Sequence, residues 1–545
     1  MKKKSVVIKQ FALGVFFWFL IISALILTVI LPPLFLTKLG ADAFLIGNFS
    51  TAAQYWQKAN LIVKPLGAVT KPFNSDALLW STTLTLLDKL AGDLALLQQN
   101  KEQSLYELPT DTLVSHFPDY LLLLDTIQQN SQSALILKKP LQRYQIQKKV
   151  SVAHDWLSAF SPVLNKESKW LILLQNDNEL RATGGFMGSY ALLSINRGKI
   201  IDISIEDIYD ADGQFTGYFP PPAGIKEYLS SGNGLRLPDA NWHPDFPTSA
   251  QQILGYFALG NRQEIIGVIA ITNSVIRELL TITGPIPLPD YQTSLTADTI
   301  DSVLQNRPQP FFPGSIQKKH LLSQAKNQLL VALSKMTVKD WQSVFTILNE
   351  QVAQKNILLA SANDAVNTVL ENNHLNGKLS ISNQNQDLVE IVESNVGINK
   401  SNQWQHRAVS VDLTKPKRIT ITINYSNQSP NSITIDQSRY ANYLRFVTNQ
   451  SWIVESVTIN NVNKTQEWNQ DDITTIDGHT FQQLGGLLVI EPRTTATISV
   501  SFLREANQRL LLIKQPGLPE TLYTILKPDG NTQQLILQHD IELSY

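Results

Sequence analysis

From Phe11 to Leu36 the chain carries no ionisable side chain, and Lys2, Lys3, Lys4 and Lys9 stand just before that run. Phe11 to Leu31 is 21 residues, followed by Pro32 and Pro33. As a helix rising ~1.5 Å per residue it reaches across a hydrocarbon core of ~30 Å. A secretory leader would have a shorter apolar stretch of about 7–15 residues and a small-x-small cleavage site. This run is too long for such a leader. The positive-inside rule places the lysines in the cytoplasm and the chain after Thr37 outside. The reading is a single-pass anchor in the cell membrane with a cytoplasmic N-terminus and an extracytoplasmic body. No second run of comparable length follows, so a channel or transporter is not expected.

The remaining composition narrows the body. The chain has 545 residues, 43% of them apolar, which suffices for ordinary cores and predicts several domains. A formal net charge of −1 offers no cation excess to displace phosphate counterions, so nucleic acid is not expected as a partner. There is no cysteine, which removes disulfides, thiol nucleophiles and thiolate metal sites.

Periodicity divides the rest. Residues 1–10 read as a basic cytoplasmic tip and 11–36 as the anchor. Residues 41–165 show apolar spacings of three and four (Leu79, Thr83, Leu86, Leu87, Leu90) and read as a helical stalk or bundle. In 168–376 short apolar runs at Trp170–Leu174, Phe186–Ile195, Lys199–Ile205 and Gly267–Ile271 alternate with helical patterns at Thr248–Leu259, Ser274–Leu280, Ser315–Leu333, Val338–Gln351 and Ser361–Leu370. Asn196-Arg197-Gly198 reads as a hairpin turn, so this α/β domain is expected to have a mixed sheet. In 385–545 Asn, Gln, Ser and Thr rise. Alternating runs at Ala408–Leu413, Arg418–Tyr425, Ser432–Ile435, Tyr443–Thr448, Ile453–Ile459, Gly486–Ile490, Thr495–Phe502 and Leu510–Lys514 predict a β-sandwich-like domain. The fold class is therefore α+β and multidomain.

Chemistry is sought where polar residues follow a buried strand. Gln175 to Ser189 is such a stretch. Thr183, Gly184 and Gly185 would let the backbone approach an anion, and Arg181 would grip a phosphate or carboxylate. The alternative is a tight loop in which Glu179 pairs with Arg181 and the glycines serve backbone geometry. The acidic run with Asp207 and Asp210 suits a hard cation such as Mg²⁺, although the calcium-loop spacing fails and a solvated acidic loop competes. In Asn241–Pro247, Trp242 would stack on a sugar ring and Asp245 would act as a base or metal ligand. Thr248 and Ser249 read as helix N-caps there. Asn399 and Lys400 lie at a junction where the lysine would reach an anion. No hydrolytic triad or close histidine pair is present.

Several of these blocks carry a resemblance. Leu174-Gln175-Asn176 through Glu179-Leu180-Arg181-Ala182-Thr183-Gly184-Gly185-Phe186, Trp242 to Pro247, Thr283-Gly284-Pro285, Asn395 to Lys400, Tyr440 to Arg445 and Lys514 to Gly517 resemble a bacterial family catalogued as a domain of unknown function, number 4012. They run in order over roughly 170–517. The resemblance implies a membrane-anchored surface protein and no particular activity. Ile266 stands where the family often has an acid before Gly267, which puts in doubt any chemistry needing a carboxylate there. The order of elements is also similar to that of the LytR–CpsA–Psr phosphotransferases, single-pass proteins that attach lipid-linked glycopolymers to the cell wall. Their Pro-Arg-Asp motif is missing after the hairpin.

Two functions follow as expectations. One is cell-envelope assembly, with the α/β domain binding or transferring a polyprenyl-pyrophosphate-linked glycopolymer at Arg181, Gly184, Gly185 and an Mg²⁺ ion. Burial of Arg181 against Glu179 would remove the transfer reading. The other is a non-enzymatic adhesin or scaffold that binds its partner through the β domain.

Overall fold

A computed structural model describes residues 31–70, 76–99, 110–130, 146–230, 232–260, 264–305, 316–381, 386–505 and 507–545. The expected tip at 1–10 and anchor at 11–36 lie outside the described residues, apart from Leu31–Leu36. Among the described residues no helix is long and apolar enough to cross a membrane. The chain forms two compact units.

The first unit holds the residues up to Glu167, with Ile195–Ile201 and Leu333–Trp341. It contains helices α1 (Leu31–Leu45), α2 (Phe49–Thr70), α3 (Asp76–Gln99), α4 (Thr110–Ser115), α5 (Phe117–Asn130) and α6 (Ile146–Leu164). Ala52, Trp56, Ala59 and Val63 fall on one face of α2 and are buried with Leu84 and Ala91 of α3. Asn60 links the same pair, donating to Thr85 Oγ1 and accepting from Ser81 Oγ, each at 2.8 Å.

The second unit holds Ser168–Ser194, Asp202–Ala332 and Gln342–Tyr545. It starts with a five-stranded sheet, β1 (Ser168–Asn176), β2 (Phe186–Asn196), β3 (Lys199–Asp207), β4 (Ile265–Thr272) and β7 (Ile357–Ser361), in the order β3-β2-β1-β4-β7. β1 and β4 run parallel and β4 and β7 antiparallel, so the sheet is mixed. β1 is apolar on both faces because both are covered. Leu171 and Leu173 join Val268 and Ala270 in a core with Phe246, Ala250, Ile253 and Phe257 of α8 (Phe246–Leu259). Ile172 and Leu174 point the other way, toward α9 (Asn273–Thr283) and α11 (Ile316–Ser334). Between these helices lie the small hairpin β5 (Ile286–Leu288) and β6 (Thr293–Leu295) and the short α10 (Ile300–Gln305). Helix α7 (Ile208–Asp212) follows β3 directly, and α12 (Val338–Ala353) leads into β7.

Past α13 (Asp364–Asn372) the chain builds two facing sheets. One is ordered β13-β12-β16-β10-β9-β18-β19 and the other β14-β15-β11-β8-β17-β20. The first comprises β9 (Gln405–Asp412), β10 (Arg418–Asn427), β12 (Ile453–Ile459), β13 (Val462–Asn463), β16 (Thr495–Leu503), β18 (Thr521–Leu526) and β19 (Thr532–Leu537). The second comprises β8 (Asp387–Val392), β11 (Tyr440–Asn449), β14 (Asn469–Thr474), β15 (Thr480–Ile490), β17 (Arg509–Ile513) and β20 (Ile541–Ser544). In β10, Ile419, Ile421, Ile423 and Tyr425 enter the shared core with Leu444 and Phe446 of β11. The intervening Thr420 and Thr422 bond outward to Ser501 and Ser499 at 2.9 Å. The expected strand at Ser432–Ile435 is instead a turn leading into one helical turn, Ile435–Ser438, held by Ser438 Oγ donating to Thr434 O at 2.6 Å.

Candidate functional site: an apolar cavity with a lysine rim

The stretch after β1 folds as a tight loop. Arg181 is 1% exposed. Its Nε donates to Asp239 at 2.8 Å, Nη1 to the carbonyls of Leu180 and Asn395 at 3.0 and 2.6 Å, and Nη2 to Glu179 at 3.5 Å. Every arm of the guanidinium is engaged within the protein, so Arg181 is a packing group and not a phosphate clamp.

Its neighbours are equally committed. Thr183 Oγ1 accepts from Gln175 Nε2 at 3.1 Å. Gly184 has φ +133°, and a Cβ there would collide with the Gln175 amide. A Cβ on Gly185 would collide with the Asn176 carbonyl. The glycines therefore allow close chain packing and do not line an anion nest.

The other expected residues separate. Asp245, with no exposed surface, is the N-cap of α8 in place of Thr248 or Ser249. Its Oδ2 accepts from Thr248 N and Oγ1 at 2.9 and 2.5 Å, and its Oδ1 accepts from Leu379 N at 2.8 Å. Both oxygens are engaged within the fold and the side chain has no exposed surface, so Asp245 is not presented to a substrate or metal ion. Trp242 is buried, stacked on Tyr443 at 5.8 Å, with the Arg445 guanidinium 4.5 Å from its ring centroid. A sugar cannot reach that ring. Asn399 spends its amide on the carbonyls of Asp436 and Arg439 at 2.9 and 2.8 Å. Asp207, expected as a metal ligand with Asp210, caps α7 by accepting from Tyr209 N at 2.9 Å and lies 3.9 Å from Lys318 Nζ. Asp210 is exposed. Among the described residues no group of three or more His, Cys, Asp or Glu side chains is placed to hold a metal ion.

Lys400 is the expected residue that reaches a cavity. The space, about 410 Å³, lies on the face of the five-stranded sheet turned away from α8. Its floor is Ile172, Leu174, Ile203, Ile205 and Ile271, and its roof includes Ile276, Leu321 and Leu329. Polar groups gather at part of the lining: Asn176, Glu179, Lys318 and Lys400. Lys318 donates to Gly188 O at 2.6 Å, and Gly188 has no side chain because a Cβ would press on that ammonium. Lys326, also in the lining, donates to Ile203 O at 2.7 Å.

Burial lowers the pKa of both Lys318 and Lys400, while the Glu179 carboxylate raises each. Burial pushes Glu179 up to about 7, against the nearby Arg181 charge. Two desolvated ammonium groups beside an apolar space favour an anion there.

Lys318 and Lys326 were not anticipated. Their signal is the spacing on α11, where Leu321, Ala325 and Leu329 recur every fourth residue alongside lysines at 318 and 326.

These features define a multidomain α+β protein in which a mixed sheet carries an apolar cavity and continues into a β-sandwich. The family model described as "Protein of unknown function (DUF4012)" matches residues 165–308, and that stretch of the chain belongs to the family. It spans β1 to α10, including the cavity floor. A search of curated proteins gives no match. Among solved structures the chain is similar to a "putative nutrient binding protein" from Legionella pneumophila, at 8% identity and a TM-score of 0.18. That match covers 26% of this chain and 55% of the Legionella protein.

Proposed function

We propose that this chain is a membrane-anchored, extracytoplasmic protein of cell-envelope assembly that holds an amphiphile, a long apolar chain with an anionic head group, in the cavity of its α/β domain. The observation that carries this reading is the pairing of an isoleucine- and leucine-walled space with Lys318 and Lys400 in its lining. An apolar chain gains roughly 25 cal/mol per Å² on leaving water, and the ammonium groups recover charge solvation when an anion meets them. The 26-residue run from Phe11 to Leu36 supports a membrane location, where such ligands reside. The family resemblance points to the bacterial surface. Group transfer is not part of the proposal, because Arg181 is buried against Glu179 and Asp239.

The test is binding of a long-chain isoprenyl monophosphate to the full chain in detergent, followed by native mass spectrometry. The expected result is a one-to-one complex. It should be lost in Leu321→Trp, which fills the cavity, weakened at least tenfold in Lys400→Glu, and much weaker for the uncharged isoprenol. Equal binding of the phosphate by the wild type and Leu321→Trp would overturn the reading.

A further inference from the structure

On the other side of the β1–α9 contact lies a second concavity of about 520 Å³ with different chemistry. Seven amide side chains line it: Asn178 from the loop after β1, Gln351, Gln354 and Asn356 from α12 and the turn before β7, and Asn402, Gln403 and Gln405 at the entry to β9. Asp177, Glu278 and Glu520 balance Arg277, Arg407 and Lys514 around the same wall. The volume falls in the range of ordinary ligand sites, about 300–1,000 Å³.

Two acceptors in this wall are buried without a partner. Asp177 spends Oδ2 on Ser274 N at 3.1 Å and on the Ser274 hydroxyl, while its Oδ1 has none. Gln405 spends Nε2 on Ser401 O at 3.0 Å, and its Oε1 is likewise unpaired. Both side chains are more than nine-tenths buried. An unpaired buried acceptor costs about 1–3 kcal/mol, so a ligand rich in hydroxyl donors would relieve both at once. Balanced charge disfavours an anion or a cation.

We propose that this cleft is a saccharide-binding site for a neutral, hydroxyl-rich sugar. Hydroxyl donors suit the amide oxygens left in this wall, because Asn356 Nδ2 is spent on Gln351 and Gln354, Asn402 Nδ2 on Tyr440, and Gln403 Nε2 on Lys400 O. The inference goes beyond the amphiphile reading and does not depend on it: residues 176–179 and the start of α9 separate the two spaces. Asn176 faces the cavity and Asp177 the cleft, and Asn273 and Ser274 divide in the same way.

The experiment is saturation-transfer-difference NMR on the full chain in lauryldimethylamine oxide, a detergent without a sugar head group. The probes are glucose, maltose, cellobiose, lactose and N,N′-diacetylchitobiose. At least one is expected to show transfer, with affinity falling tenfold or more in both Gln405→Leu and Gln403→Ala. Gln403 is exposed, so its substitution reports on the cleft without threatening the fold. Leu321→Trp, which fills the apolar cavity, should leave the sugar signal intact. Absence of transfer from all five sugars overturns the proposal, as does binding unchanged in both cleft variants or binding lost only in Leu321→Trp.

Discussion

Arg181 Nε donates to Asp239 Oδ1 at 2.8 Å, and the guanidinium has only 2% of its side-chain surface in contact with solvent. This bond ties the loop after β1 to the turn before α8. The Nη1 contact with Asn395 O at 2.6 Å ties the same loop to the segment after β8. Removing one member of a buried ion pair leaves an uncompensated charge, which typically costs about 3–5 kcal/mol. Arg181→Met should therefore destabilise the chain by that order in urea unfolding monitored by tryptophan fluorescence. A loss under ~1 kcal/mol would mean that the arginine is not a packing group and would reopen a ligand role for it.

Asp245 makes a second prediction of the same kind. Asp245→Ala removes the N-cap of α8, worth about 1 kcal/mol, and strands the Leu379 amide, worth about 1–3 kcal/mol. Asp245→Ser retains a capping oxygen but cannot serve Leu379 as well. The order of stability should be wild type, then serine, then alanine, read from thermal melts. Equal stability of all three would contradict the capping geometry.

Four of the five strands of the main α/β sheet and the longer helices were legible because their apolar spacing is local, whereas β7 and the β5–β6 hairpin were not. Trp170–Leu174 and Gly267–Ile271 can be found in β1 and β4 without any knowledge of their partners. The fates of Arg181 and Trp242 were not legible. Their partners, Asp239, Asn395, Tyr443 and Arg445, lie 58 to 214 positions away, and only the assembled chain brings them together. The glycines after Arg181 misled for a related reason. A Gly-Gly pair is equally suited to an anion and to a neighbouring backbone, and the Gln175 and Asn176 atoms that decide between them come from β1 folding back. Strands β18 to β20 were missed because Thr521–Leu526 and Thr532–Leu537 have weak alternation and are paired by β9 and by each other. Lys400 was singled out from a junction turn, yet the apolar cavity it faces is built from six other stretches between Ile172 and Leu329 and has no contiguous trace in the sequence.

Gly517 gives a sharper test of the loop's packing. Its φ is +72°, and a Cβ would collide with the carbonyl of Gly184. Both terms oppose a side chain, and the clash is with backbone, which cannot rotate away. Gly517→Ala should lose more than the ~1 kcal/mol of a merely strained left-handed position. Gly530→Ala, at φ +82° with no atom near its Cβ, isolates the conformational term. The difference between the two unfolding midpoints measures the contact, and equal midpoints would show that the two loops do not meet.

His243 sets a pH dependence. Its Nδ1 accepts from the Asp245 amide at 3.1 Å, which places the ring proton on Nε2. Burial is the first cause, and the nearby Arg445 charge the second, that lowers its pKa from 6.5 to about 4. Between those values the unfolded chain binds a proton that the folded chain refuses. Stability therefore rises with pH through that window and falls as acid is added below pH ~6.5. The full effect is on the order of 3 kcal/mol, developed by about pH 4. Replacing His243 with Gln keeps a side-chain acceptor and removes the titration. Urea unfolding of the two chains from pH 4 to 7.5 should show the wild-type stability rising relative to the variant's by about 3 kcal/mol between pH 4 and 6.5, with a constant offset above that. Parallel curves across the window would show that His243 titrates normally and is not held neutral by its surroundings.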